Sequence, residues 1–135
     1  MIRLLVVDDH EVMRFGLQTL LNDEPDMTVV GVAADGRTAV TMAIADQPDV
    51  VLMDVSMPVL DGVAATREIV SAVPSVRVIV LTSYSQESIV RSALSAGASG
   101  YLLKDSSPAT LTDAIRAVHR GESVLAPIVR DMLRA

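Results

Sequence analysis

Five times along the chain a short run of aliphatic residues gives way to a segment with helical spacing. That rhythm restricts the fold more than any other feature. The strand-like runs are "RLLVVDD" (3–9), "MTVVGVA" (27–33), "DVVLMDV" (49–55), "VRVIVLTS" (76–83) and the shorter "GYLLK" (100–104). Between and after them lie segments 10–23, 36–47, 61–73, 86–96 and 107–120, with apolar residues three and four positions apart. In the first, Met13, Leu17, Leu20 and Leu21 make one stripe, expected to be buried; in the last, Leu111, Ile115 and Val118 do the same. Pro48, Pro58, Pro74 and Pro108 fall at segment boundaries, and Gly97 and Gly121 where helix C-caps belong. Regular alternation of this kind predicts an α/β domain with a parallel sheet, right-handed crossovers placing helices on both faces.

The interior must be aliphatic. Half of the 135 residues are hydrophobic, yet only Phe15, Tyr84 and Tyr101 are aromatic. Val-, Leu- and Ile-rich runs suit strands covered on both faces. There is no cysteine, which excludes disulfides, thiolate metal sites and thiol nucleophiles. A formal charge of −6 opposes non-specific binding to a polyanion, so DNA contact is expected to fall to some other segment. The start lacks the pattern of a secretory signal, and no apolar run nears the roughly 20 residues of a membrane helix. A cytoplasmic protein without membrane contact is expected.

Open parallel sheets bind ligands outside the carboxyl ends of their strands. The first strand ends at Asp8 and Asp9, the third at Asp54, the fourth at Thr82 and the fifth at Lys104. One edge thus gathers three acids, a hydroxyl and an ammonium. Two carboxylates about 4 Å apart repel by about 4 kcal/mol at an effective dielectric near 20. Such a site must protonate, spread or bind a cation. Oxygen ligands favour a hard ion, and Mg²⁺ typically takes one or two carboxylates, waters and phosphate oxygens.

With "DDH" after the first strand, "DVSMPVLDG" (54–62) after the third, "LTS" after the fourth and "GYLLKD" (100–105) on the fifth, the chain resembles the receiver domains of two-component response regulators. "DDHEVMRFGL", "GYLLKDSSPATL" and "AIRAVHRGE" are most similar to the NarL/FixJ type, whose receivers precede a helix-turn-helix DNA-binding domain. The resemblance covers about residues 1–121. It implies a flavodoxin-like (βα)5 fold with strand order 2-1-3-4-5, and leaves 122–135 as a C-terminal tail or linker start, with a DNA-binding domain expected beyond Ala135.

The same resemblance implies the roles. Asp54 would accept a phosphoryl group from a phosphohistidine of a sensor histidine kinase. Asp9 and Asp54 would hold Mg²⁺, Asp8 acting through water and Ser56 through its carbonyl. Lys104 would pair with the phosphoryl group, Thr82 would hydrogen-bond to it, and Tyr101 would turn inward behind it. Ser56 and Tyr84 would tune dephosphorylation. The domain would be a phosphoacceptor that catalyses its own phosphorylation and dephosphorylation rather than a turnover enzyme. One departure is Asp105, standing where many receivers carry a cis proline after the lysine; the state of that bond is left open.

Plainer readings stand beside these. An Asp at a strand end is usually a turn former or cap, and an isolated lysine is usually solvated. Only the combination outweighs those readings. His10 and His119 read as surface or structural residues, and Gly62 as relief of backbone geometry after Asp61. Val12 and Phe15 lie off the buried stripe of the first helix, as an apolar pair that marks an interface or packs at the helix edge. Homodimerisation on phosphorylation, through the first and last helices, is the expected output. The alternatives are a stand-alone receiver signalling by protein contact and an aspartyl-phosphate phosphohydrolase, the latter opposed by Ser56 where a second Asp belongs. A flavin module is opposed by the scarcity of aromatics.

Overall fold

The computed structural model describes residues 1–55, 60–83 and 87–134, without the side chains of residues 87, 132 and 134. The elements are β1 (Ile2–Val7), α1 (Glu11–Asn22), β2 (Met27–Ala33), α2 (Gly36–Asp46), β3 (Val50–Asp54), α3 (Gly62–Ala72), β4 (Arg77–Thr82), α4 (Glu87–Ser95), β5 (Gly100–Leu103), α5 (Pro108–His119), β6 (Val124–Leu125) and α6 (Pro127–Arg134). Every strand pair is parallel, in the order β2-β1-β3-β4-β5-β6. This is the flavodoxin-like α/β architecture with order 2-1-3-4-5, extended by a sixth strand.

The core follows from the composition. All five residues of β3 are buried, as are the four of β1 that follow Arg3 and the last five of β4. Burying one Leu or Val side chain contributes about 1.5–3 kcal/mol, and the side chains of Leu4, Leu5, Val51, Leu52, Val78 and Ile79 are essentially inaccessible. Helix starts are fixed by side chains that satisfy free backbone N–H groups. Asp35 caps α2 through Thr38, Asp61 caps α3 through Ala64, and Ser107 caps α5 through Thr110, ahead of Pro108.

Two expectations are corrected. Among the described residues the sheet has six strands, not five. Segment 122–135 supplies β6 and α6, held by Val124 N donating to Ser99 O (3.1 Å) and Ala126 N donating to Tyr101 O (2.9 Å). Ala126 and Val129 enter the core. A two-residue strand is too short to show alternation in sequence. Second, the α1 stripe is only partly buried. Leu21 is inside, whereas Met13, Leu17 and Leu20 are half-buried along a groove of about 640 Å³ between α1 and α5. The Lys104–Asp105 bond, left open by the sequence, is trans, like every described peptide bond. Ser56, Pro58 and Tyr84 lie outside the described residues. Among the described residues no helix is long and apolar enough to cross a membrane.

Gly62 shows how tightly the site end of the sheet is built. Its N–H donates to Val55 O at 2.8 Å, and a Cβ there would lie 2.0 Å from the carbonyl oxygen of Asp54. No side chain fits, so α3 can start this close to β3 only on glycine. Gly16, in the exposed middle of α1, is the opposite case: a methyl group added there would find nothing within 4 Å. Chemical denaturation should therefore show Gly62→Ala losing about 2 kcal/mol or more through overpacking, and Gly16→Ala gaining about 0.5–1 kcal/mol from helix propensity. Equal effects would contradict this packing.

Candidate functional site

The carboxyl edge of the sheet brings the sequence-selected residues together. Asp8 follows β1 directly, Asp54 ends β3, Thr82 ends β4 and Lys104 follows β5. Asp54 pairs in register with Leu81, and Thr82 with Leu103, so the side chains come from neighbouring strands. Asp8, Asp54 and Thr82 are buried, an unusual position for two carboxylates.

Lys104 makes that burial tolerable. Its Nζ lies 3.0 Å from Asp8 Oδ2 and 3.1 Å from Asp54 Oδ1, with 14% of its own side chain exposed. Its backbone N–H donates to Thr82 O at 2.8 Å, which anchors the residue against β4. Burial alone pushes the ammonium pKa down, but hydrogen bonds and charges from Asp8 and Asp54 outweigh it and raise the value above its ordinary 10.5. The lysine therefore keeps its charge at neutral pH, and the stabilisation that this charge contributes is lost as pH climbs through that raised value.

The acid pair is arranged unequally. Asp8 Oδ1 accepts from the His10 N–H at 2.8 Å, and Arg14 donates to the Asp8 carbonyl at 2.7 Å. Asp9 is more open, its side chain 31% exposed. The His10 ring turns back over both acids, Nδ1 lying 3.0 Å from Asp8 Oδ1 and 3.0 Å from Asp9 Oδ1. Ligand atoms from Asp8, Asp9, His10 and Asp54 all lie within 4.8 Å of one another. Three carboxylates at that spacing suit a divalent cation, which is the acidic cluster typical of a receiver magnesium site.

Tyr101 is already inside, its ring fully buried. Tyr101 lies on β5, the strand between β4 and β6, where a large ring gains more from burial than from solvent. Among the described residues its hydroxyl finds no hydrogen bond of good geometry; burial pushes its pKa up, and the Thr82 hydroxyl offsets this in part. Val12 and Phe15 stand on the outer side of α1, 85% and 70% exposed. The groove beside them is lined by Met13, Gly16, Leu17, Leu20, Leu103 and Leu111 and reaches Asp8 and Lys104. His10 and Arg14 are the residues sequence reasoning missed. Their adjacency to the acid pair and their place on the first turn of a helix were the available signals.

Comparison with known proteins agrees with this geometry. The family described as response regulator receiver domain matches residues 4–116. The transcriptional regulatory protein LiaR of Bacillus subtilis is 45% identical over 93% of this chain and 59% of its own length. A two-component response regulator of the LuxR family from Aurantimonas is 34% identical, with a TM-score of 0.92 over 98% of this chain and 94% of that one. The signal receiver domain of the putative response regulator NarL from Mycobacterium tuberculosis is 35% identical, with a TM-score of 0.86 over 90% and 98%. The chain spans only about three-fifths of the curated relatives it matches.

The Lys104 contacts generate a direct expectation. Lys104→Met leaves Asp8 and Asp54 buried without their shared cation, and should lower stability in a metal chelator by about 3–5 kcal/mol. Saturating Mg²⁺ should recover more stability in the variant than in the original protein. Urea unfolding curves that coincide with and without the lysine would contradict this.

Proposed function

The chain belongs to the response regulator receiver domain family, of the NarL/LuxR type, and on that premise we propose that it accepts a phosphoryl group on Asp54 from a phosphohistidine of a sensor histidine kinase. The observation carrying this reading is the Lys104 ammonium held between Asp8 and Asp54 at one strand edge, with Asp9 beside them. An Asp54 oxygen attacks phosphorus, the P–N bond to the donor imidazole breaks, and the leaving imidazole takes up a proton. The product is an acyl phosphate.

Asp9 and Asp54 would hold Mg²⁺ directly and Asp8 through water, with the carbonyl of Ser56 as a further oxygen. When bound, the ion neutralises charge on the transferring group. This chain's residues supply positioning. Lys104 passes from Asp54 to a phosphoryl oxygen as a point charge. Thr82, one strand over, turns its hydroxyl to the incoming group. Because Tyr101 is already inside, we assign the switch to Thr82 and the segment after β4, with the buried ring as a backstop that favours the switched position. Ser56 and Tyr84 remain proposed as residues that tune loss of the phosphate.

Readout is proposed to be self-association. Val12 and Phe15 are too exposed and apolar for an ordinary helix surface, and the half-buried leucines of the α1–α5 groove offer an apolar complement beside them. Relatives titled as transcriptional regulators extend well beyond the matched region. Their example supports transcriptional control through a DNA-binding segment outside residues 1–135, within the cytoplasm.

After incubation with acetyl phosphate and Mg²⁺, intact mass should rise by one phosphate and sedimentation should shift from monomer toward dimer. Thr82→Ala should still gain the mass yet stay monomeric. A variant that dimerises as fully as the original would remove Thr82 from the switch, and no mass gain in either protein would remove the function.

A further inference from the structure

We propose that His10 is a nitrogen ligand of the divalent-cation site, so that this site takes a borderline transition ion such as Co²⁺ or Zn²⁺ as well as Mg²⁺. The inference rests on the cation-binding reading above, and adds a donor to it that changes which ions fit.

Three observations converge on the ring. Its Nδ1 lies 3.0 Å from one oxygen of each acid, Asp8 Oδ1 and Asp9 Oδ1. Ligand bonds of about 2.1 Å to one octahedral ion place adjacent donor atoms about 3.0 Å apart. The contact with Asp8 Oδ1 is a hydrogen bond; an entering ion would displace the shared proton, and the imidazole nitrogen and the two oxygens already stand at the spacing of neighbouring ligands. Asp54 completes the group, all four residues offering atoms within 4.8 Å.

The second observation is what the side chain does not do. His10 is the N-cap residue of α1, in extended conformation, yet its side chain makes no capping hydrogen bond. A ring at an N-cap with no role in the cap, turned back over two carboxylates, is positioned for the acids. The third is the backbone: the His10 N–H donates to Asp8 Oδ1 and Arg14 donates to the Asp8 carbonyl, fixing the turn that carries the ring. The ring is otherwise open to solvent, its side chain 72% exposed, so an entering ion meets it first.

Chemistry then sets selectivity. Magnesium takes oxygen donors and gains little from an imidazole. Zinc, cobalt and the later first-row ions bind imidazole well and follow the Irving–Williams order. Removing the ring should cost those ions a bond and cost magnesium almost none.

Calorimetric titration of Co²⁺ and of Mg²⁺ into the original protein, His10→Ala and His119→Ala tests the assignment, with His10 ring signals followed by NMR. The expected result is a Co²⁺ affinity lower by about tenfold or more in His10→Ala alone, an unchanged Mg²⁺ affinity, and paramagnetic shifts on the His10 ring. Unchanged Co²⁺ affinity in His10→Ala overturns the proposal. So does a parallel fall for Co²⁺ and Mg²⁺, which would mark a merely structural role, or a loss that follows His119 instead. Failure of the original protein to bind Mg²⁺ would strike the receiver reading, while the cobalt comparison would still decide the role of His10.

Discussion

An ammonium shared by two buried carboxylates is the constraint around which the rest of this molecule is organised. Lys104 stands 3.0 Å from Asp8 and 3.1 Å from Asp54. Without it, two acids with almost no solvent contact would have to coexist at the end of an apolar sheet. The cost of an uncompensated buried charge is several kcal/mol, a large part of the total stability of an ordinary domain. In the proposed function the same lysine is also the cation that an incoming phosphoryl group would draw to itself, so that stability at rest and phosphoryl binding would rest on one side chain.

The sheet supplies the placement. Parallel strands connected by helices must end on one edge, so residues from positions 8, 54, 82 and 104 meet without any long loop. Close packing holds the edge still: Gly62 lets α3 sit against the Asp54 carbonyl, and Asp61 caps the helix that begins there. The register of β3 against β4 sets Asp54 opposite Leu81, and Thr82 is the next residue along β4.

Much of this is legible in the chain because it follows from periodicity. Strand ends can be read to within a residue or two, and the strand-end rule then collects Asp8, Asp9, Asp54, Thr82 and Lys104 with no geometry at all. What stays hidden depends on how surfaces meet. The α1 stripe has the spacing of a buried face, but α5 does not close over it, so Met13, Leu17 and Leu20 line a groove. The sixth strand is two residues long and has no period to detect. Tyr101 is buried on a strand that has neighbours on both sides, β4 and β6, and a linear pattern does not report the second neighbour. His10 reads in sequence as an isolated histidine, since the direction of a side chain at a helix start is a matter of backbone dihedrals. Gly62 reads correctly in kind, as a residue present for backbone reasons; the structure adds that the reason is close approach.

Everything turns on where the phosphoryl group goes. Borohydride reduces an acyl phosphate on an aspartate to homoserine, so peptide mapping by mass spectrometry after acetyl phosphate, Mg²⁺ and borohydride reads the acceptor directly. Homoserine in place of aspartate at position 54, and at neither position 8 nor position 9, is the predicted result. Modification spread over the three acids, or absent from position 54, would contradict it.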